Sequence, residues 1–346
     1  MALFPKVGKT QPALRVGWWV MLGLLILGVL THLFPFYYML VTSITPAIDI
    51  MTSSTPSFFP LHPTFSAWAL VYQWASNNGV GGLLNNAASE PFWVYFWNSL
   101  FITVITLVIS IPITALAAYA CSKLLRGPLA RWSFLFFIGT LMVPFAVMIL
   151  PSLFLTLNFP FAVPGGSVPN MPGTYNPVPT LSLFNTPWAI IVPGVFNAYN
   201  FLIFKGYFDT IPNSVLQAAR VDGGSEFNIF RRIVFPMSIP VFSVIMWIQF
   251  QAVWDSYLWP SLVIADNSKA TTAIAVYTVM QDFSTSGILE KASAFSATTA
   301  MRAALGEGLS WNGLMVLGIL QTLPIFIMFI FCREYLLRGV RIQGLK

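Results

Sequence analysis

Trp247, Gln251 and Asp255 stand four residues apart in W-I-Q-F-Q-A-V-W-D-S-Y-L-W-P, residues 247–260. That spacing puts them on one face of a helix, with Trp254 beside them on the same broad face. Aromatic rings next to amide and carboxylate groups suit a sugar, which presents C–H faces and hydroxyls together. Asn197, Tyr199 and Asn200, in the preceding apolar stretch, are further candidates for the same solute path. A competing reading makes Trp254, Tyr257 and Trp259 an interfacial aromatic belt, and Gln249 and Gln321 polar cement between helices. None of these groups makes or breaks bonds. The sequence holds no G-x-x-x-x-G-K-[S/T], no paired histidine ligands and no G-x-S-x-G. His32 and His62 are its two histidines, and Cys121 and Cys332 form neither a disulfide framework nor a C-x-x-C metal site. Both cysteines read as buried apolar fillers. The chain is expected to bind and move something rather than to catalyse, with no metal.

The elements that position these residues follow from composition. Only 8% of the 346 residues are charged, against roughly 25% in soluble domains, and the mean hydropathy is +0.75. Such a chain belongs in a bilayer. A hydrocarbon core about 30 Å thick takes about 20 apolar residues in helical form. Six segments qualify: 17–41, 92–120, 132–154, 188–204, 240–262 and 312–332. The first is too long for a signal peptide, and F-P-F-Y-Y offers no small-residue cleavage site, so it is read as a retained span.

Positive charge orients the bundle. Lys6, Lys9 and Arg15 precede the first span, and Lys123, Arg126 and Arg131 lie between the second and third. Lys205, Arg220, Arg231 and Arg232 lie between the fourth and fifth; Arg333, Arg338, Arg341 and Lys346 follow the sixth. With alternating spans, only Lys269, Lys291 and Arg302 of the 17 basic residues fall on the other side. Both termini are therefore expected in the cytoplasm of a multi-pass cell-membrane (inner-membrane) protein. The expected organisation is a cytoplasmic tail 1–16, a first helix 17–41, an external loop 42–91 and a five-helix core 92–332. That core includes external loops 155–187 and 263–311 and a cytoplasmic loop 205–239, and a tail 333–346 closes the chain. The Pro- and Gly-rich external loops serve either as passive connectors or as a docking surface for an external partner.

The cytoplasmic loop contains Q-A-A-R-V-D-G-G-S-E-F-N-I-F-R-R-I-V-F-P, residues 217–236. Positions 213–222 read as a helix capped by Asn213 or Ser214. Gly223-Gly224 breaks it. A second helix, 225–234, is capped by Ser225, carries Phe227, Phe230 and Ile233 as an apolar stripe, and ends at Pro236. This is a helix–turn–helix knob. A helix lying on lipid headgroups would share its amphipathic character, but the sharp turn favours insertion into a protein groove.

The knob resembles the EAA loop of ABC importer permeases, whose pattern is E-A-A-x-x-x-G, nine residues, then I-x-L-P. Here the matching residues are Gln217-Ala218-Ala219, Gly223, nine residues 224–232, and Ile233-Val234-Phe235-Pro236. Further stretches are similar to the carbohydrate-importer branch: G-Y-F-D-T-I-P (206–212), V-D-G-G-S-E-F (221–227) and R-E-Y-L-L-R-G-V (333–340). So are N-S-L-F-I-T-V (98–104), A-A-Y-A (117–120), V-P-F-A-V-M-I-L-P (143–151) and, more loosely, F-P-F-Y-Y-M-L-V-T-S-I (34–44). The chain departs from the pattern at Gln217, where the family has Glu, and its external loops are longer.

The resemblance implies an all-α integral membrane protein, with six transmembrane helices and a cytoplasmic helix–turn–helix coupling loop, the type I ABC importer permease fold. It implies one permease subunit of a binding-protein-dependent importer, moving a sugar, oligosaccharide or polyol by ATP-driven alternating access. The implied partners are a cytoplasmic ABC ATPase dimer holding ATP-Mg, a second related permease and an external solute-binding protein. No cofactor is expected on this chain and no nucleic acid. In the coupling loop, Ala218, Ala219 and Gly223 are expected to pack closely, with Gly224 completing the break. Asp222 and Glu226 cap or pair locally, Phe227 and Phe230 fill the ATPase groove or anchor the loop, and Arg231 with Arg232 holds it near the anionic leaflet. The alternatives are a permease for another solute such as glycerol 3-phosphate, a passive channel, or an integral membrane enzyme. The absence of Arg and Lys from the spans weighs against an anion.

Overall fold

The computed structural model describes residues 12–52, 58–76, 90–159, 182–285 and 311–342, and among them every secondary-structure element is a helix. Lys6, Lys9, Lys291, Arg302, Lys346 and most of the two later external loops lie outside the described residues. The chain divides into two compact units, Met1–Gln73 with Gly287–Leu320, and Trp74–Ser286 with Gln321–Lys346.

In the first unit, α1 (Pro12–Ser43) is apolar on every face. Leu24, Leu25, Leu27 and Leu30 are exposed, as expected of a helix whose solvent is lipid. Two short helices follow, α2 (Ala47–Thr52) and α3 (Ser66–Ser76). They are held to the end of α1 by hydrogen bonds, among them Trp68 Nε1 to Ser43 Oγ at 3.4 Å and Thr64 N to the Ile44 carbonyl at 2.7 Å. The start of the last helix joins the same unit. There Asn312 donates to the Thr45 carbonyl at 3.1 Å, and a Cβ at Gly318 would approach Met39 Cε to 2.9 Å.

The second unit is built round α4 (Phe92–Leu124), 33 residues whose last turn, Ala120–Leu124, widens to a π-helix. One face of α4 is a seam of small residues: Ser99, Thr103, Thr106, Ser110, Thr114, Ala115 and Ala118 are all buried. Small side chains at helical spacing let neighbouring helices approach closely where no water drives association. Next come α5 (Gly127–Leu141), α6 (Phe145–Leu157), α7 (Trp188–Ile191) and α8 (Ala198–Asp209). After them run α9 (Asn213–Val221) and α10 (Glu226–Met237), then α11 (Ile239–Trp254) and α12 (Leu258–Val263). The described chain closes with α13 (Thr272–Thr285) and α14 (Trp311–Ile342), which begins in the first unit. Phe201, Phe204 and Phe208 of α8 are fully buried against the α4 seam and against Ile245 and Trp254 of α11.

Three described helices are long and apolar enough to cross a membrane singly: Arg15–Ser43, Phe92–Leu124 and Trp311–Leu336. With each bent helix pair taken as one span, the described residues give up to five, and the other three segments expected to span are interrupted. The 132–154 segment is α5 and α6, bent by 99° at Met142-Val143-Pro144. The residue before a proline is pushed out of the helical region, so the break falls at Val143. The 188–204 segment is interrupted over 192–197, where Pro193 removes a donor and Gly194 packs a missing Cβ 3.2 Å from Thr106 Cγ2. The 240–262 segment stops at Trp254 and restarts at Leu258. Pro260 would clash with the carbonyl of residue 256 in a continuous helix, but it is tolerated in the first turn of α12.

Candidate functional sites

The knob is α9 and α10, joined by a tight turn. Gly223 N–H reaches the Arg220 carbonyl at 3.1 Å, and Gly224 N–H reaches that of Ala219 at 3.0 Å. This bond pair, with Gly223 at φ +81°, is a Schellman C-cap. A non-glycine residue is disfavoured at Gly223 by its backbone angle, since nothing lies within 4 Å of its Cβ position. The close-packing glycine is Gly224, where a Cβ would stand 2.8 Å from the Ala219 carbonyl oxygen. Expected close packing at Gly223 within this chain is corrected accordingly.

The caps also differ from expectation. Pro212 occupies the N-cap of α9, Asn213 falls inside the first turn, and Ser225 sits at the N-cap of α10 without a side-chain cap bond. Pro236 does not end the second helix, because it lies within the continuous run to Met237, and the 80° bend comes at Ser238. The apolar stripe is rotated as well. Leu216, Ile229, Phe230 and Val234 are buried and Ile233 is half-buried, but Phe227 is 62% exposed. Ahead of Phe230 the buried position is Ile229 in place of Phe227, and the turn of π-helix over Phe230–Val234 moves the fully buried position behind it from Ile233 to Val234.

Three sets of bonds root this knob to α4 and α8. Glu226 accepts from Arg220 Nε at 2.7 Å and from the Tyr119 hydroxyl at 3.0 Å. The Tyr207 hydroxyl of α8 donates to the Met237 carbonyl at 2.8 Å, and beneath the knob Asp209 of α8 accepts from Ser122 of α4 at 2.6 Å and pairs with Lys205 at 2.8 Å. Lys123 Nζ donates to the Ile211 carbonyl at 2.8 Å and to Asn213 Oδ1 at 3.1 Å. Burial pushes the Asp209 carboxyl up, but bonds from Lys205 and Ser122 with the charges of Lys205 and Lys123 outweigh it and hold it below the usual range. Arg220 is raised above its ordinary value, first by its hydrogen bond to Glu226. The Tyr119 ring lies 5.3 Å from Phe230, so the two π-turns, 120–124 and 230–234, adjoin through it. Facing away from this root, Gln217, Ala218, Val221, Asp222, Phe227, Arg231 and Arg232 are exposed. Ala219 is half-buried against the core instead.

The second site lies where the helix breaks meet. A cavity of about 450 Å³ is lined by Thr106, Ser152, Asn197, Gln249, Ser256 and Trp259, with Phe145, Phe196 and Gly194 among its apolar walls. Asn197 caps α8 by accepting from Asn200 N–H at 3.0 Å, and buried Asn200 donates to Gln249 Oε1 at 2.6 Å. The Trp259 indole N–H is satisfied by the Ala189 carbonyl at 3.0 Å.

Of the expected solute-path residues, Asn197 lines this cavity and Asn200 supports it from behind. Trp254 does not reach it: 1% exposed, it stacks on Phe250 and donates to the Gln321 carbonyl at 2.9 Å. Trp247 packs edge-on to Phe329, and Tyr199 and Gln251 face outward. Asp255 is exposed, with Gln321 Nε2 3.4 Å from its carboxylate. The Trp247–Gln251–Asp255 face holds together along α11 and its C-cap, but it turns away from the cavity, which Gln249, Ala252, Val253 and Ser256 line instead. Gln249, read from sequence as helix cement, both bonds Asn200 and lines the cavity. Thr106, Ser152 and Ser256 carried no sequence signal beyond being small and polar in apolar surroundings.

The family model described as "binding-protein-dependent transport system inner membrane component" matches residues 110–342, about two thirds of the chain. The chain belongs to this family. It is a permease subunit of a binding-protein-dependent ABC importer and not itself an ATPase. The permease is 24% identical over 340 residues to the arabinooligosaccharides transport system permease protein AraQ of Halalkalibacterium halodurans, covering 98% of this chain and 99% of AraQ. To the sn-glycerol-3-phosphate transport system permease protein UgpE of Escherichia coli K12 it is 26% identical over 321 residues, covering 92% and 93%. Its fold is similar to a chain of a bacterial ABC transporter involved in the import of the acidic polysaccharide alginate, with a TM-score of 0.66 at 19% identity, covering 94% and 98%.

Proposed function

We propose that this permease carries a sugar, oligosaccharide or polyol through a six-span bundle with cytoplasmic termini. Three spans are single helices, and three are broken pairs: α5 with α6, α7 with α8, and α11 with α12. Positive-inside asymmetry supports that orientation, and proline chemistry accounts for each break. The domain bounds expected from sequence are kept as part of this proposal, with the coupling loop 205–239 centred on α9 and α10.

The observation that carries the coupling role is the knob's two-sidedness. Its inner face is tied by Glu226 and Asn213 to the end of α4 and by the Met237 carbonyl to α8, and its outer face presents Ala218, Val221 and Phe227. A surface that is rigid behind and apolar in front is what a lever seated in a protein groove needs. An ATPase dimer bearing ATP-Mg supplies the groove and the energy. A second permease half and an external binding protein complete the assembly. Gln217 faces that groove as a neutral amide in place of the family's carboxylate. Closure of the ATPase pair moves the two knobs, and through them α4, α8 and α11, to alternate access.

The sugar reading is supported by the similarity to AraQ, whose name specifies arabinooligosaccharides; UgpE keeps sn-glycerol 3-phosphate as the second reading. The test is uptake by proteoliposomes holding the whole importer and its binding protein, offered saccharides, polyols and sn-glycerol 3-phosphate. ATP-dependent uptake of a saccharide or polyol is expected. Uptake of sn-glycerol 3-phosphate alone would replace the solute class.

A further inference from the structure

We infer that this chain itself holds the solute during transport, in the cavity at the junction of the three broken spans, and that the solute bound there is uncharged. The inference rests on the importer reading above and narrows it. Two observations place the cavity on a transport path. Thr106, on its wall, is 14 residues from Phe92 and 18 from Leu124 along α4, roughly 21 Å and 27 Å at 1.5 Å per residue. The cavity is therefore near the middle of a spanning helix. Its walls also include non-helical backbone from 192–197 and from Ser256. Unwound backbone at membrane depth survives only where it is buried in protein or lines a polar cavity.

The chemistry of the lining selects the ligand. None of the described lining residues is charged. Ser152 and Ser256 offer hydroxyls that both donate and accept, Thr106, whose hydroxyl donates to the Ile102 carbonyl at 2.7 Å, offers an acceptor, and Asn197 and Gln249 offer amides. Phe145, Phe196 and Trp259 supply flat apolar surfaces. A phosphate or uronate would be desolvated here without a cation to compensate, a cost of several kcal/mol per ion. A hydroxylated ring meets hydroxyls, amides and aromatic faces in the proportions it needs. The volume falls within the usual range for small-molecule sites, about 300–1,000 Å³, and suits a small saccharide or one end of a longer one. The Asp255 carboxylate, next in sequence to Ser256, does not line the cavity and stands 3.4 Å from the Gln321 amide.

Two variants of the complete reconstituted importer test this. Ala252 also lines the cavity, and Ala252→Phe fills it from that wall. Uptake of the neutral saccharide carried by the wild type is expected to fall about tenfold or more, while binding-protein-stimulated ATP hydrolysis persists. Ser152→Cys places a thiol on the wall, distinct from the buried Cys121 and Cys332. Its reaction with a small uncharged maleimide during ATP turnover is expected to slow several-fold with that saccharide present. The corresponding uronic acid should give no slowing. The inference is overturned if Ala252→Phe transports normally, if the saccharide fails to protect Ser152→Cys, or if the uronic acid protects equally. Should Ala252→Phe lose ATPase stimulation as well, the Ser152→Cys protection decides alone. A wild-type importer that moves no saccharide or polyol would instead remove the reading on which the inference stands.

Discussion

Phe227→Asp is expected to abolish ATP-driven uptake while leaving the permease folded. The side chain is 62% exposed and makes no part of the buried cluster under the knob. Replacing an exposed residue away from special features usually changes stability by no more than about 0.5 kcal/mol. An aromatic anchor buried at a protein interface is worth about 2 kcal/mol or more, a factor of about 30 in affinity. A carboxylate forced into that groove adds desolvation. The expected result is a permease of unchanged thermal stability in detergent that no longer retains its ATPase subunits on purification. Retention of the ATPase with normal uptake would place Phe227 outside the interface and remove the outward face of the knob from the mechanism.

Glu226→Leu is expected to separate ATP hydrolysis from transport. Glu226 is the one carboxylate among the described residues that joins Arg220 of α9, its own helix α10 and Tyr119 of α4. The Arg220–Glu226 pair is partly solvent-exposed, with 29% and 43% of the two side chains accessible, so the ion pair alone contributes about 0.2–1 kcal/mol. The larger consequence is mechanical. Without the bond to Tyr119, the knob still presents Ala218 and Phe227, but among the described residues its tie to α4 is reduced to the Lys123–Asn213 bond and packing. Uptake per ATP hydrolysed should fall about tenfold, with ATPase binding preserved. Glu226→Gln keeps an acceptor for Tyr119 and should recover most of that ratio, which a general loss of folding would not. Equal uptake-to-hydrolysis ratios in wild type and Glu226→Leu would mean that force does not pass through this contact.

The outline of the molecule was legible in its residues, and the reasons are specific. Apolar length marked α1, α4 and α14, and the G-G pair with the spacing to Pro236 marked the knob. What was hidden is where helices stop. Val143-Pro144, Pro193-Gly194 and Pro260 each lie inside stretches apolar enough to read as unbroken spans, because hydropathy counts composition and is blind to a missing N–H. The Trp247–Asp255 face stays intact along α11 but turns away from the cavity, which gathers Thr106, Ser152, Asn197 and the Gln249–Ser256 pair from four separate segments. No local spacing could bring those five together. The knob's stripe is likewise rotated from the one drawn: at the start of α10 Ile229 turns inward and Phe227 outward, and the π-turn that follows, Phe230–Val234, carries the burial on to Val234.

That rotation sharpens the choice of probe. Ala219 is half-buried against its own core, so a bulky change there would disturb this chain before any partner. Ala218 and Phe227 face outward. The most direct test of the coupling claim is a photo-crosslinking residue at position 218 or 227 in the complete importer, irradiated in membranes. A covalent adduct with the ATPase subunit is expected, its yield changing between ATP-bound and nucleotide-free states. Adducts with lipid alone, at the same yield in both states, would contradict that claim and make α9 and α10 a passive element of the membrane surface.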